Sequence, residues 1–185
     1  MPQSSGPYSG QRPDNGSACS PEPRYRPSYE RWYARPDGEH ALAAQHLLLR
    51  RMISGWPRRG HNLLALCSGS GHFLESFWEA GFDVTGQEHD QGLVRQSRRR
   101  LGNRVSITLN RPERLPFDDQ SFDYVACLDG LEFAENPEEL IKECFRLASL
   151  GLLVAFPSSL SLRGLGLFLS GLSGRTGRRA LEGDR

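Results

Sequence analysis

Two features in residues 63–90, LLALCSGSGHFLESFWEAGFDVTGQEHD, have the residue types and spacing to hold a nucleoside. The first is the small-residue turn Cys67-Ser68-Gly69-Ser70-Gly71, which follows an apolar run and precedes a helical pattern. The second is the acid Glu88, at the end of the next apolar run. Glycines let a ligand approach the backbone closely. The helix N-terminus beyond them offers unpaired N–H groups. A carboxylate ending a second strand can accept hydrogen bonds from both hydroxyls of a ribose. Taken alone, the turn also fits a tight strand-to-helix connection with no ligand, and Glu88 an ordinary acid at a strand end. His72 and His89 are candidate bases, but one opens a helix and the other follows the acid, so both read as local polar contacts. The run Arg98-Arg99-Arg100 reads as a solvated helix end favoured by the helix dipole rather than as a phosphate site.

A third feature carries more information than the glycines. It comprises Pro112-Glu113-Arg114-Leu115-Pro116-Phe117, then Ser121-Phe122-Asp123-Tyr124-Val125, then GLEFAENP at 130–137. With ERWYARPDGE at 30–39, these segments resemble the class I S-adenosylmethionine-dependent methyltransferases of the methyltransferase type-11 group, over roughly residues 29–165. The resemblance implies S-adenosylmethionine as cofactor and a small-molecule acceptor. It implies that Leu66, Cys67, Ser68, Gly69 and Gly71 surround the methionine part and that Glu88 holds the ribose diol. Arg111 and Pro112 would flank the adenine, Leu128 and Asp129 would lie under the sulfonium, and Tyr33 would close over the site. The turn, Glu88 and the Leu-Pro-Phe bend are then expected to converge on one adenosyl cleft. A nicotinamide-binding enzyme is the obvious competitor, but it wants a third glycine for packing around a pyrophosphate. Gly71-His72-Phe73-Leu74 is bulkier here. Methyl transfer is an in-line displacement from an excellent leaving group, so positioning dominates, and a base is needed only when the acceptor must lose a proton. No catalytic residue is assigned, and no metal ligand.

The chain departs from the family pattern at four places. Ala65 replaces an acid, Cys67 replaces the first glycine of the turn, and Ser149-Leu150-Gly151 replaces Pro-Gly-Gly. Arg111 stands where an acid commonly meets the adenine amino group, and a guanidinium cannot accept a hydrogen bond. These departures motivate the alternative reading, a non-catalytic module of the same fold that serves interaction or regulation.

The elements that must position these residues alternate between strand and helix. Strands are expected at Leu63–Leu66, Phe82–Gln87, Val105–Leu109, Phe122–Leu128 and Leu152–Phe156, and helices at His72–Ala80, Gln91–Leu101 and Pro137–Ala148. An earlier helix, Asp37–Trp56, has Asp37 as N-cap and Leu42, Leu49, Met52, Ile53 and Trp56 on one side. The alternation predicts a doubly wound, mostly parallel, Rossmann-like α/β sheet of about five strands with flanking helices. The family's last two strands are missing, which leaves strand five as a bare edge open to self-association. Residues 1–27 are rich in Pro, Gly, Ser and Arg and read as a disordered tail. Residues 28–165 form the methyltransferase-like domain and 166–185 a flexible tail. The formal charge of +1 gives no field for nucleic acid. With no transmembrane run and no signal-peptide core, a cytoplasmic location is expected.

Overall fold

The computed structural model describes residues 33–112, 114–128, 130–131 and 134–156. The two expected tails, including the leucine-rich stretch after Phe156, lie outside the described residues. Helix α1 (Pro36–Met52) precedes strand β1 (Asn62–Leu66), helix α2 (His72–Ala80), strand β2 (Asp83–Glu88) and helix α3 (Gln91–Leu101). Strands β3 (Ser106–Leu109) and β4 (Phe122–Cys127), helix α4 (Pro137–Leu147) and strand β5 (Ala148–Val154) complete the order. The sheet runs β3-β2-β1-β4-β5 and every pairing is parallel. This is the five-stranded Rossmann-like arrangement expected from the alternation.

Local chemistry explains the helix ends. Helix α2 lies between Gly71 and Gly81, both left-handed, with φ of 86° and 102°. Helix α3 is capped by Asp90, whose carboxylate accepts from the N–H groups of Gly92 and Leu93 at 2.6 and 2.9 Å. Helix α4 carries Pro137 in its first turn, and Asn136 caps it. Helix α1 corrects one expectation: Asp37 is not its cap. Pro36 opens the helix one residue earlier, and Asp37 lies inside the first turn, where an acid suits the dipole.

Alternation along β1 builds two cores. Leu63 and Ala65 face one layer with Leu49, Ile53, Leu74, Phe77 and Leu101, beneath α1, α2 and α3. Leu64 and Leu66 face the other with Val125, Cys127, Leu140 and Leu147, against α4. At the amino end of the sheet Trp56 stacks on Tyr124, ring centroids 4.2 Å apart and 12° from parallel. Gly151 admits this pair, since an added Cβ would meet the Tyr124 ring at 3.0 Å and Trp56 at 3.3 Å.

Two burial expectations fail, and one strand boundary moves. Met52 and Phe145 are exposed rather than inward. The neighbouring Ile53 and, on α4, Cys144 and Leu147 are buried, so Met52 lies at the margin of its helix's buried face and Phe145 off that of its own. Strand β5 begins at Ala148, where β4 already offers a pairing partner, rather than at Leu152. Among the described residues, no helix is long and apolar enough to cross a membrane.

Candidate cofactor site at the carboxyl edge of the sheet

The parallel register brings most of the candidate residues to one edge. Leu66 pairs with Cys127 and Glu88 with Leu109, so the turn 67–71, the acid, the segment Asn110–Pro112 and Leu128 all follow strand ends on the same side. The chain leaves β1 for β2 in one direction while β4 lies in the other. Ligands of open α/β sheets bind in the crevice outside such a switch point.

Three consecutive amides of the turn donate to the end of β2. Cys67 N–H bonds to Gln87 Oε1 at 3.0 Å, Ser68 N–H to the Gln87 carbonyl at 2.9 Å, and Gly69 N–H to Glu88 Oε2 at 2.9 Å. The other Glu88 oxygen accepts from the N–H groups of His89 and Asp90 at 2.8 and 2.9 Å. The acid is only 1% exposed, so its backbone partners keep its charge hydrogen-bonded away from water. A pyrophosphate needs free backbone donors at such a turn. Residues 67–69 have committed theirs to the sheet, which weighs against a dinucleotide.

The turn is open where a ligand would touch it. Gly69 has φ of 58°, and an added Cβ there would meet no atom of the described residues within 4 Å. Gly71 differs, because a Cβ there would strike the Ser97 hydroxyl of α3. Cys67 is left-handed at φ 53° without being glycine, a conformation that costs roughly 1–2 kcal/mol. Its sulfur lies inward: a Cβ added at Gly130 would sit 2.7 Å from both Cys67 Sγ and Cys127 Sγ. The Cys144 thiol is pushed up by its hydrogen bond with Cys127 and by burial, so it stays protonated and is no nucleophile.

Arg111 is exposed and Pro112 buried beside it, while Leu128 is half-buried against the α1-side core. Tyr33 is buried, with its ring 5.0 Å from that of His72 across the exit of the turn. Asp129 lies outside the described residues, as do Glu113 and Glu132. His89 Nδ1 sits 3.3 Å from Glu88 Oε1, the local polar contact expected of it.

The Leu-Pro-Phe bend is gripped from the α4 side, and Leu115 shares a buried cluster with Cys67 of the turn. Leu115 and Phe117 pack into the α4-side core, and Leu115 N–H donates to Glu143 Oε1 at 2.7 Å. Arg146 donates to the carbonyls of Leu115 and Phe117 at 3.2 and 2.8 Å and to Asp119 at 2.7 Å. Burial alone would raise the Glu143 carboxyl, but the Arg146 and Leu115 bonds outweigh it and hold it below the usual carboxylate range. The motif is thus a clasp that fixes the entry to β4. One site residue escaped the sequence reading: Gln87, whose only signal was an amide side chain in the buried end of a strand.

Residues 64–155 match the family model described as "Methyltransferase domain". They belong to that family. The domain is similar to the demethylmenaquinone methyltransferase of Clavibacter sepedonicus, at 31% identity over 97 residues, which is 51% of this chain and 40% of the relative. The demethylmenaquinone methyltransferase of Renibacterium salmoninarum is 28% identical over 92 residues, 50% of this chain and 38% of its own. The chain thus spans about two fifths of the length of these relatives. The fold matches a SAM-dependent methyltransferase from Thermotoga maritima with a TM-score of 0.61 at 21% identity, over 80% of this chain and 65% of that one. The PH0226 protein from Pyrococcus horikoshii gives 0.65 at 24% identity, over 84% and 70%.

A second polar cluster lies away from this edge, between α1 and α2. His46 Nδ1 shares a hydrogen bond with the buried Ser76 hydroxyl, and its ring tilts against Phe73 at 5.3 Å. The cleft beside it, about 360 Å³, is lined by Glu39, Arg50, Glu75 and Glu79 as well. Burial, then His72 and Arg50, push the imidazole below its ordinary value against the opposite pull of Glu79 and Glu75. This pair fastens α1 to the helix that leaves the turn.

Proposed function

We propose that the methyltransferase domain binds S-adenosylmethionine in the crevice outside β1 and β4 and transfers its methyl group to a small-molecule acceptor. The observation that carries the reading is the meeting of the open Gly69 turn, Glu88 and the Asn110–Pro112 segment on one edge at the switch point. The residues fit the cofactor, since Gly69 leaves space against the backbone and a carboxylate stands at the ribose position. When bound, the cofactor supplies a methyl group on a sulfonium. Leu66, Cys67, Ser68, Gly69 and Gly71 would shape the methionine side, and Arg111 and Pro112 the adenine side. Leu128 and Asp129 would approach the sulfonium, and Tyr33 would exclude water. Glu88 would release Gly69 N–H and accept from the ribose diol instead. The chain's task is positioning, and that accounts for much of such a reaction's barrier reduction.

The similar demethylmenaquinone methyltransferases make a demethylmenaquinone-like molecule, in its reduced, electron-rich quinol form, the acceptor to try first. A cytoplasmic site of action belongs to the same proposal. Titration calorimetry with S-adenosylmethionine and S-adenosylhomocysteine is the test, and micromolar binding of either is expected. No heat from either at millimolar concentration would remove the enzyme reading. It would favour a non-catalytic module of the same fold, a reading already motivated by the saturated hydrogen bonding of Glu88.

A further inference from the structure

We infer that Gln87 is a positioning residue that sets the distance between the two walls of the proposed cofactor crevice. The inference rests on the cofactor reading for its consequence, but its geometry stands independently. Gln87 is fully buried, at 0% exposure, in strand β2 immediately before Glu88. Its carbonyl oxygen accepts from Cys67 N–H in the glycine turn, and its amide nitrogen donates to the carbonyl of Asn110. One side chain therefore spans from the wall after β1 to the wall after β3. The main chain adds to the grip, because Ser68 N–H bonds to the Gln87 carbonyl and Asn110 N–H to the Glu88 carbonyl at 3.1 Å.

The task needs an amide. One end must accept a proton and the other must donate one, at fixed separation, and a carboxamide presents both. A methionine fills the volume and does neither, which strands a buried N–H on one wall and a buried C=O on the other. A glutamate accepts at both ends when ionised, so it repels the Asn110 carbonyl. When protonated it regains the pattern of the amide, and burial favours that neutral form.

The test uses the full chain and two variants, Gln87→Met and Gln87→Glu, with two readouts. Hydrogen exchange of the ligand-free protein reports on the staple itself. The Cys67 amide is expected to exchange roughly tenfold or more faster in Gln87→Met, in keeping with a lost buried hydrogen bond. Calorimetry with S-adenosylhomocysteine reports on the crevice. Gln87→Glu is expected to bind weakly at pH 8 and to recover towards wild-type affinity at pH 5.5, relative to the wild type measured at both. A purely packing role would give no such recovery. Unchanged Cys67 exchange in Gln87→Met, or a Gln87→Glu affinity that tracks wild type at both pH values, overturns the inference. If the wild type binds no S-adenosylhomocysteine, the cofactor reading fails by itself, and the exchange result still decides whether Gln87 holds the walls together.

Discussion

Glu88 has two sets of partners to serve with one carboxylate. In the ligand-free protein its oxygens accept from Gly69, His89 and Asp90. Glu88→Ala leaves those part-buried donors without their acceptor, and the expected loss is about 1–3 kcal/mol of stability, read as a fall in the urea midpoint. The same variant is expected to weaken S-adenosylhomocysteine binding by a similar margin. Lost stability with unchanged affinity would mean that the acid serves only the turn. The sequence made the position of Glu88 legible, because an acid ending a second strand is a local pattern. Its saturation was not legible, because its donors are backbone groups of two separate loops. Gln87 stayed hidden for the same reason: an amide's partners are set by which loops meet at the strand end.

The helices are held by polar joints as well as by apolar faces, and two of these joints make predictions. Arg146→Ala strips the entry to β4 of bonds to two carbonyls and to Asp119, and leaves Glu143 buried without its ion pair. A loss of about 2–4 kcal/mol is expected, measured by denaturant unfolding, with cofactor affinity changed far less. An affinity that collapses while stability holds would put the Leu-Pro-Phe bend in the site. The His46–Ser76 joint predicts a pH effect. The folded imidazole sits below its ordinary 6.5, so the unfolded chain binds more protons between the lowered value and 6.5. Stability is therefore full above that window and is lost as pH falls through it. His46→Gln is expected to flatten the fall in Tm between pH 7 and 5, and an unaltered fall would sink the assignment. Boundaries of α2 and α3 were readable from Gly71, Gly81 and Asp90 because caps act within a few residues. Phe145 lies off the face that Leu140, Cys144 and Leu147 bury, and Met52 at the margin of the face of Leu49 and Ile53, so apolar character alone does not put a helical residue inward. The Leu-Pro-Phe bend shows a similar gap, since a motif can identify a family while its place in space depends on the helix that grips it.

At the scale of the molecule, the sheet is closed on neither side among the described residues. Strand β5 pairs with β4 alone among the described residues, and its sequence ASLGLLV carries no charge or proline to discourage another strand. Leu150 is 60% exposed on it, and Phe156 is 67% exposed just beyond. Self-association through this edge is the proposal that follows, and light scattering is expected to show mass rising with concentration. Leu150→Lys should return the monomer, and a wild type that stays monomeric at high concentration refutes the proposal. The five-strand count was legible from alternation and the bare edge from the family resemblance, and the strand order puts β5 at that edge. The stack of Trp56 on Tyr124, seated over Gly151, ties the end of α1 to both β4 and β5. An indole so placed is a built-in optical gauge. Fraying of the outermost strand removes Gly151 from beside the two rings, so the emission of Trp56 is expected to register loosening of that flank while the proposed cofactor edge, at the opposite end of the strands, stays dark to it.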